Sequence, residues 1–107
     1  MWEYEIIEYK NFLKLERSLS ENSISAYVSD VNKFVQFLEI KNLEISYVEI
    51  DSKIINNFLE YLVKLGVSSY TQARIISGIK SFFSYLLIEE KITVNPMELV
   101  EAPKLIR

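Results

Sequence analysis

Histidine and cysteine are both absent from the 107 residues. Without cysteine there is no disulfide and no thiolate metal site. Without histidine the commonest general base and the commonest metal ligand are gone. Gly-rich phosphate loops and metal-ligand spacings are missing too. The clustered acids, Glu3, Glu5 and Glu8 and then Glu89 and Glu90, fall at predicted helix ends, where capping and solvent account for them. These absences weigh against a stand-alone enzyme, and no metal or cofactor is expected. Two glycines and two prolines are too few for the many turns of an all-β chain. No stretch reaches the ~18–20 uncharged apolar residues that cross a bilayer. Glutamates stand where a leader peptide would carry positive charge. The expectation is one soluble domain of a reducing, cytoplasmic compartment. One further absence is local. Fifteen acids outnumber twelve bases, for a formal net charge of −3, yet residues 67–88 contain no Asp or Glu.

What is present is helical periodicity. Trp2 to about Glu16 carries the stripe Trp2, Ile6, Tyr9, Phe12, Leu13, with acids at its start and Lys10, Lys14 and Arg17 toward its end, an order that complements the helix dipole. Ser20 is a predicted N-cap for a second helix from Glu21 to Ile40, with Ile24, Tyr27, Val28, Val31, Phe34, Val35 and Leu38 inward. Residues 41–50 read as a loop with room for one helical turn. Asp51 caps a third helix to about Lys64 that turns Ile54, Ile55, Phe58, Leu59 and Leu62 inward, and Gly66 sits where a left-handed residue closes a helix. A fourth helix opens at Ser68 or Ser69. Asn95-Pro96 breaks the chain after it, residues 97–100 have room for one short turn, and residues 102–107 read as an extended exit. Four helices around a single core make an all-α domain.

The fourth helix separates into two faces. Ile75, Ile76, Ile79, Phe82, Phe83, Leu86 and Leu87 form the apolar one; Ala73, Arg74, Ser77, Lys80, Ser81 and Ser84 lie opposite. A solvated helix face ordinarily mixes both signs of charge. This one sets two cations among small side chains, a surface that a phosphate backbone can approach closely. On the second helix Asn22, Ser25, Ser29, Lys33 and Gln36 follow at three- and four-residue steps, and such groups meet phosphates and base edges. They are equally common on any wet helix, and a solvated face is the plainer reading of either row alone. Gly78, in mid-helix, costs about 1 kcal/mol against alanine, which points to close approach of another helix or of a ligand backbone.

Four ordered features carry a resemblance: residues 19–27 (LSENSISAY) with Asp30-Val31 and Phe34; Asp51 before Phe58-Leu59-Glu60-Tyr61-Leu62; residues 74–86 (RIISGIKSFFSYL); and Asn95-Pro96 with Ala102-Pro103-Lys104. Together they resemble the N-terminal core-binding domain of the tyrosine recombinases, the phage-integrase family, and its Xer-type members in particular. The resemblance implies a four-helix SAM-like bundle of two crossed helical hairpins, one jaw of a clamp around double-stranded DNA. It implies that the second and fourth helices face the duplex, through Ser23, Ser25, Ser29 and Lys33 on one and Thr71, Gln72, Arg74, Ser77, Lys80 and Ser81 on the other. Tyr27 matches a recurrent family tyrosine and is expected to pack. Val28 and Ser29 stand where close relatives often carry arginines, and Gly78 where an alanine is common, so weak binding by the isolated domain is expected.

The family's chemistry belongs to a C-terminal domain whose tyrosine attacks a DNA phosphate, aided by arginines, a lysine and histidines. The sequence ends at Arg107 with no such apparatus. It is therefore read as a core-binding domain over residues 1–103, with residues 104–107 opening a linker to a catalytic domain. The implied partners are duplex DNA, that catalytic domain and other recombinase subunits in a synaptic tetramer. The competing expectation is a protein-interaction module of SAM or death-domain type. Its basis is the acidic balance and the aromatic first helix, with Trp2 free to dock on a neighbour.

Overall fold

Local chemistry starts three of the four helices. In the computed structural model, which describes residues 1–98 and 100, the elements are α1 (Glu3–Leu15), α2 (Glu21–Ile40), a single 3-10 turn (Tyr47–Glu49), α3 (Ser52–Lys64) and α4 (Ser69–Ile88). The first-turn amides of a helix lack intrahelical partners, and a short side-chain oxygen supplies one. Ser20 Oγ accepts from the Ser23 amide, Asp51 Oδ1 from that of Ile54 and Ser68 Oγ from that of Thr71. At the other end of α3, Gly66 adopts φ +82°, the left-handed region that glycine enters without strain. There is no strand among the described residues, and the expected all-α architecture is what forms. No helix among them is long and apolar enough to cross a membrane.

α1 begins differently. Its cap residue, Trp2, sits at φ 63° and makes no side-chain cap. Tertiary contacts hold it there. The indole Nε1 donates to the Ile45 carbonyl at 3.1 Å, and the ring packs against Phe34, Tyr47, Phe82 and Phe83. Trp2 is only 8% exposed, so the expectation that it is free to dock on a neighbour is corrected: it is a core residue. Seen from its own helix, a terminal tryptophan looks exposed; the loop after α2 closes over it.

The core is largely aromatic. Phe34, Phe37, Phe58, Phe82, Phe83, Tyr9 and Tyr85 are all buried and meet mostly at tilted or edge-on angles, the arrangement that ring quadrupoles favour. Phe37 joins the stripe expected on α2, while Tyr27 and Val28 are half-buried at its margin. On α4 the expected apolar face is inside except Leu87. After α4, Glu90 takes a left-handed turn, and Ile92, Met97 and Val100 fold back onto the core. The Met97 amide is held by Asn95 Oδ1 at 2.9 Å. The expected extended exit and linker, residues 102–107, lie outside the described residues.

α1 lies against α2, and α2 packs most extensively on α4. These last two helices are 20 residues each, and they meet at their midpoints, Asp30 and Gly78. A Cβ placed on Gly78 would stand 2.8 Å from the Asp30 Cβ and 2.9 Å from its Cγ. The mid-helix glycine is thus explained by a helix contact.

Candidate nucleic-acid interface

The crossing of α2 and α4 brings the two polar rows to one place. Asp30 is 1% exposed, and its carboxylate is the point on which Lys33 of α2 and Arg74 of α4 converge. Arg74 Nη1 donates to Asp30 Oδ2 at 3.3 Å, and Arg74 Nη2 lies 3.1 Å from Oδ1. Lys33 Nζ stands 4.0 Å from the same Oδ1 and donates to Ser29 Oγ at 3.1 Å. Oδ1 therefore has two charged neighbours but no aligned hydrogen bond. Burial pushes the Asp30 carboxyl above the usual carboxylate range, and Arg74 and Lys33 oppose that rise. The Arg74 side chain remains 45% exposed: its guanidinium grips Asp30 on one side and meets solvent on the other.

The remaining residues expected at the interface divide into three groups. Ser25, Ser29 and Ser77 are exposed and Lys80 is half-buried, with no ion-pair partner for Lys80 among the described residues. Ser23 and Thr71 occupy the first turns of α2 and α4, where their hydroxyls accept from the capping serines at 3.1 Å. Gln72 and Ser81 depart from the expected outward placement. Gln72 is 7% exposed and its Nε2 donates to the Val67 carbonyl at 2.8 Å, closing the loop that enters α4. Ser81 is half-buried and accepts from the Tyr9 hydroxyl at 2.9 Å, tying α1 to α4. That phenol is pushed up to about 12, burial outweighing the hydrogen bond to Ser81. Periodicity places a residue on a side of its helix, but it does not reveal which backbone or phenol comes to meet it there.

Two participants went unrecognised in the sequence. Lys10 of α1 lines a shallow groove with Ser25, Ser29, Asn32, Lys33 and Gln36. Its position near the end of α1 suggested only a dipole role. Asp30 was the other, and a signal for it existed: it follows Tyr27 by three residues and precedes Phe34 by four, which places it on the buried stripe. It is also the only acid between Asn22 and Leu38. With it turned inward, the outer faces of α2 and α4 present Lys33, Arg74 and Lys80 among hydroxyls and amides, and Lys10 of α1 stands beside them. Such a surface donates hydrogen bonds to anions. Among the described residues no group of three or more acids, histidines or cysteines is placed to hold a metal ion.

Residues 6–90 match the family described as "Phage integrase, N-terminal SAM-like domain". A tyrosine recombinase XerD of Staphylococcus epidermidis is 41% identical over 100 residues, covering 92% of this chain and 33% of the relative. A XerD of Chlorobaculum tepidum is 32% identical over 106 residues, covering 99% of this chain and 34% of its own. A tyrosine recombinase XerC of Herpetosiphon aurantiacus is 35% identical over 100 residues, covering 94% and 32% respectively. The chain thus spans about a third of the length of these relatives. No solved structure matches it. With four helices in place and the match running from α1 to the end of α4, the chain belongs to the N-terminal SAM-like domain family of the phage integrases.

Proposed function

We propose that this domain grips duplex DNA for a site-specific tyrosine recombinase, with α2 and α4 laid against the phosphate backbone. The observation that carries the reading is the convergence at the helix crossing: Lys33 and Arg74, from two helices, share one buried carboxylate and leave their outer sides to solvent. Lys10, Lys33, Arg74 and Lys80 supply positive charge. Ser25, Ser29 and Ser77 are short enough for a phosphate backbone to come close and are hydrogen-bond donors themselves. Ser23 and Thr71 sit on helix first turns, where the dipole favours an anion.

Strand cleavage belongs to another part of a longer recombinase. Of the tyrosines here, Tyr9 and Tyr85 have shifted acidities, and both are shifted upward by burial. That holds a phenol protonated, the opposite of what a nucleophile needs. The chain's coverage of only about a third of its recombinase relatives agrees with a role as one domain among several. Partner subunits assembled on the same DNA complete the reading.

Fluorescence anisotropy with a labelled duplex at low salt tests it. The domain is expected to bind weakly, and Arg74→Glu or Lys80→Glu to weaken binding roughly tenfold while lowering the salt slope by about one per lost phosphate contact. Parental affinity in both variants would show that the face is wrongly assigned.

A further inference from the structure

Asp30 poses a problem for a DNA-facing surface. A carboxylate at the centre of a phosphate-binding wall repels the ligand, and it halves the net charge of the two cations around it. Yet the fold makes room for it. Gly78 forgoes a Cβ that Asp30 would strike, Asp30 is buried at the midpoint of the helix crossing, and both Lys33 and Arg74 are drawn to its oxygens.

We propose that Asp30 is a positioning residue for DNA binding. Seated in the gap left by Gly78, it holds the Arg74 guanidinium and the Lys33 ammonium in place so that a phosphate meets cations already ordered. The inference rests on the DNA-gripping reading above and adds the residue that sets its geometry. Arg and Lys are long side chains with many rotamers. Immobilising one on binding costs roughly two- to tenfold in affinity, and prior ordering removes that cost. At an effective dielectric of about 20, a carboxylate and a phosphate about 10 Å apart repel by roughly ten- to twentyfold in affinity. Ordering two side chains, roughly four- to a hundredfold together, is large enough to outweigh that repulsion. Arg74 lies one helical turn before Gly78, so the same face of α4 supplies both the gap and the guanidinium.

The sign of the effect separates this from the simpler alternatives. Burial already raises the Asp30 carboxyl, opposed by Arg74 and Lys33. Exchange for the isosteric, neutral Asn thus leaves the fold standing. Duplex affinity at low salt and thermal denaturation are measured for the parent, Asp30→Asn, the double variant Lys33→Ala/Arg74→Ala, and the triple variant combining all three. The expected result is that Asp30→Asn keeps the parental melting temperature but binds roughly fivefold more weakly, although it removes a negative charge. In the background without the two cations, Asp30→Asn causes no further loss. Unchanged or tighter binding by Asp30→Asn overturns the proposal. So does an equal loss in the background without the cations, which would mean that Asp30 acts through the fold alone. A measurement on the parent keeps the test independent of variant folding: side-chain NMR of the guanidinium groups. Arg74 is expected to rotate more slowly than the exposed Arg17, and equal rotation overturns the proposal. A parent that binds no duplex even at low salt overturns the DNA-gripping reading, and this inference falls with it.

Discussion

Gly78 and Asp30 make opposite demands on one site. Alanine in mid-helix would favour α4 by about 1 kcal/mol over glycine. Its Cβ would also stand within 3 Å of the Asp30 side chain, too close for any real contact. Because the neighbour is buried on a packed helix, the clash wins. Gly78→Ala is expected to lower stability by roughly 1–3 kcal/mol in urea denaturation. Because the Asp30 Cβ is itself 2.8 Å from the added methyl, the clash is relieved only by removing it: Gly78→Ala should cost less in an Asp30→Gly background, and an equal cost there would place the strain elsewhere. Tyr9 gives a second prediction at this scale. Its pKa is raised from 10.0 to about 12 by burial, so the folded state holds its proton after the unfolded state has released it. Stability from this group is complete below pH ~10 and lost as pH rises toward ~12, about 3 kcal/mol in all. Alkaline difference absorbance at the tyrosinate band, followed with circular dichroism, should show late tyrosine ionisation together with unfolding, from Tyr9 and from Tyr85, whose phenol burial also pushes up. Tyr9→Phe should reduce the amplitude of that late step.

The elements owe their starting points to single side chains. α2 and α4 both open on a serine whose oxygen takes the amide three residues on, and α3 on an aspartate that does the same. Replacing Ser68 by Ala is expected to cost about 1 kcal/mol, and Ser20→Ala a similar amount. For a domain of this size each corresponds to a fall of roughly 4–8 °C in melting temperature. The caps are 48 residues apart in the sequence and share no hydrogen-bond partner, so the losses should add in the double variant. A loss well short of the sum would show that one helix frays without affecting the cooperative fold. α1 has no such cap and depends instead on Trp2, whose indole is anchored to the loop at Ile45.

At the scale of the whole molecule, the arrangement of charge matters more than its sum. The chain is anionic overall, yet the outer faces of α2 and α4 are nearly free of exposed acids. Binding through such a patch involves few phosphates. With two or three neutralised, raising monovalent salt from about 50 to 200 mM should weaken binding roughly ten- to fortyfold. A salt-independent affinity would mean that the contact is not with a phosphate backbone.

Much of this was legible because it is local. Ser20, Asp51, Ser68 and Gly66 act within one turn of their own positions, and the helix boundaries they set agree with the structure to within a residue or two. The apolar stripes of α3 and α4 follow from a period of 3.6, which needs no knowledge of the partner. Long-range pairing, by contrast, was not legible. The place of Asp30 on the buried stripe can be counted off, but nothing in α2 announces that a glycine 48 positions later leaves a gap for it. Trp2 looked exposed because Ile45, Phe34 and Phe82 are remote along the chain. Ser81 looked outward for the same reason, its partner being the phenol of Tyr9, whereas Gln72, placed outward by resemblance, turns back to a loop carbonyl five residues earlier. The amino-acid sequence alone determined where the helices begin and end and which sides are apolar, since backbone capping and periodicity are short-range. Only the tertiary structure decided which polar groups pair across helices, because that depends on how two distant segments cross.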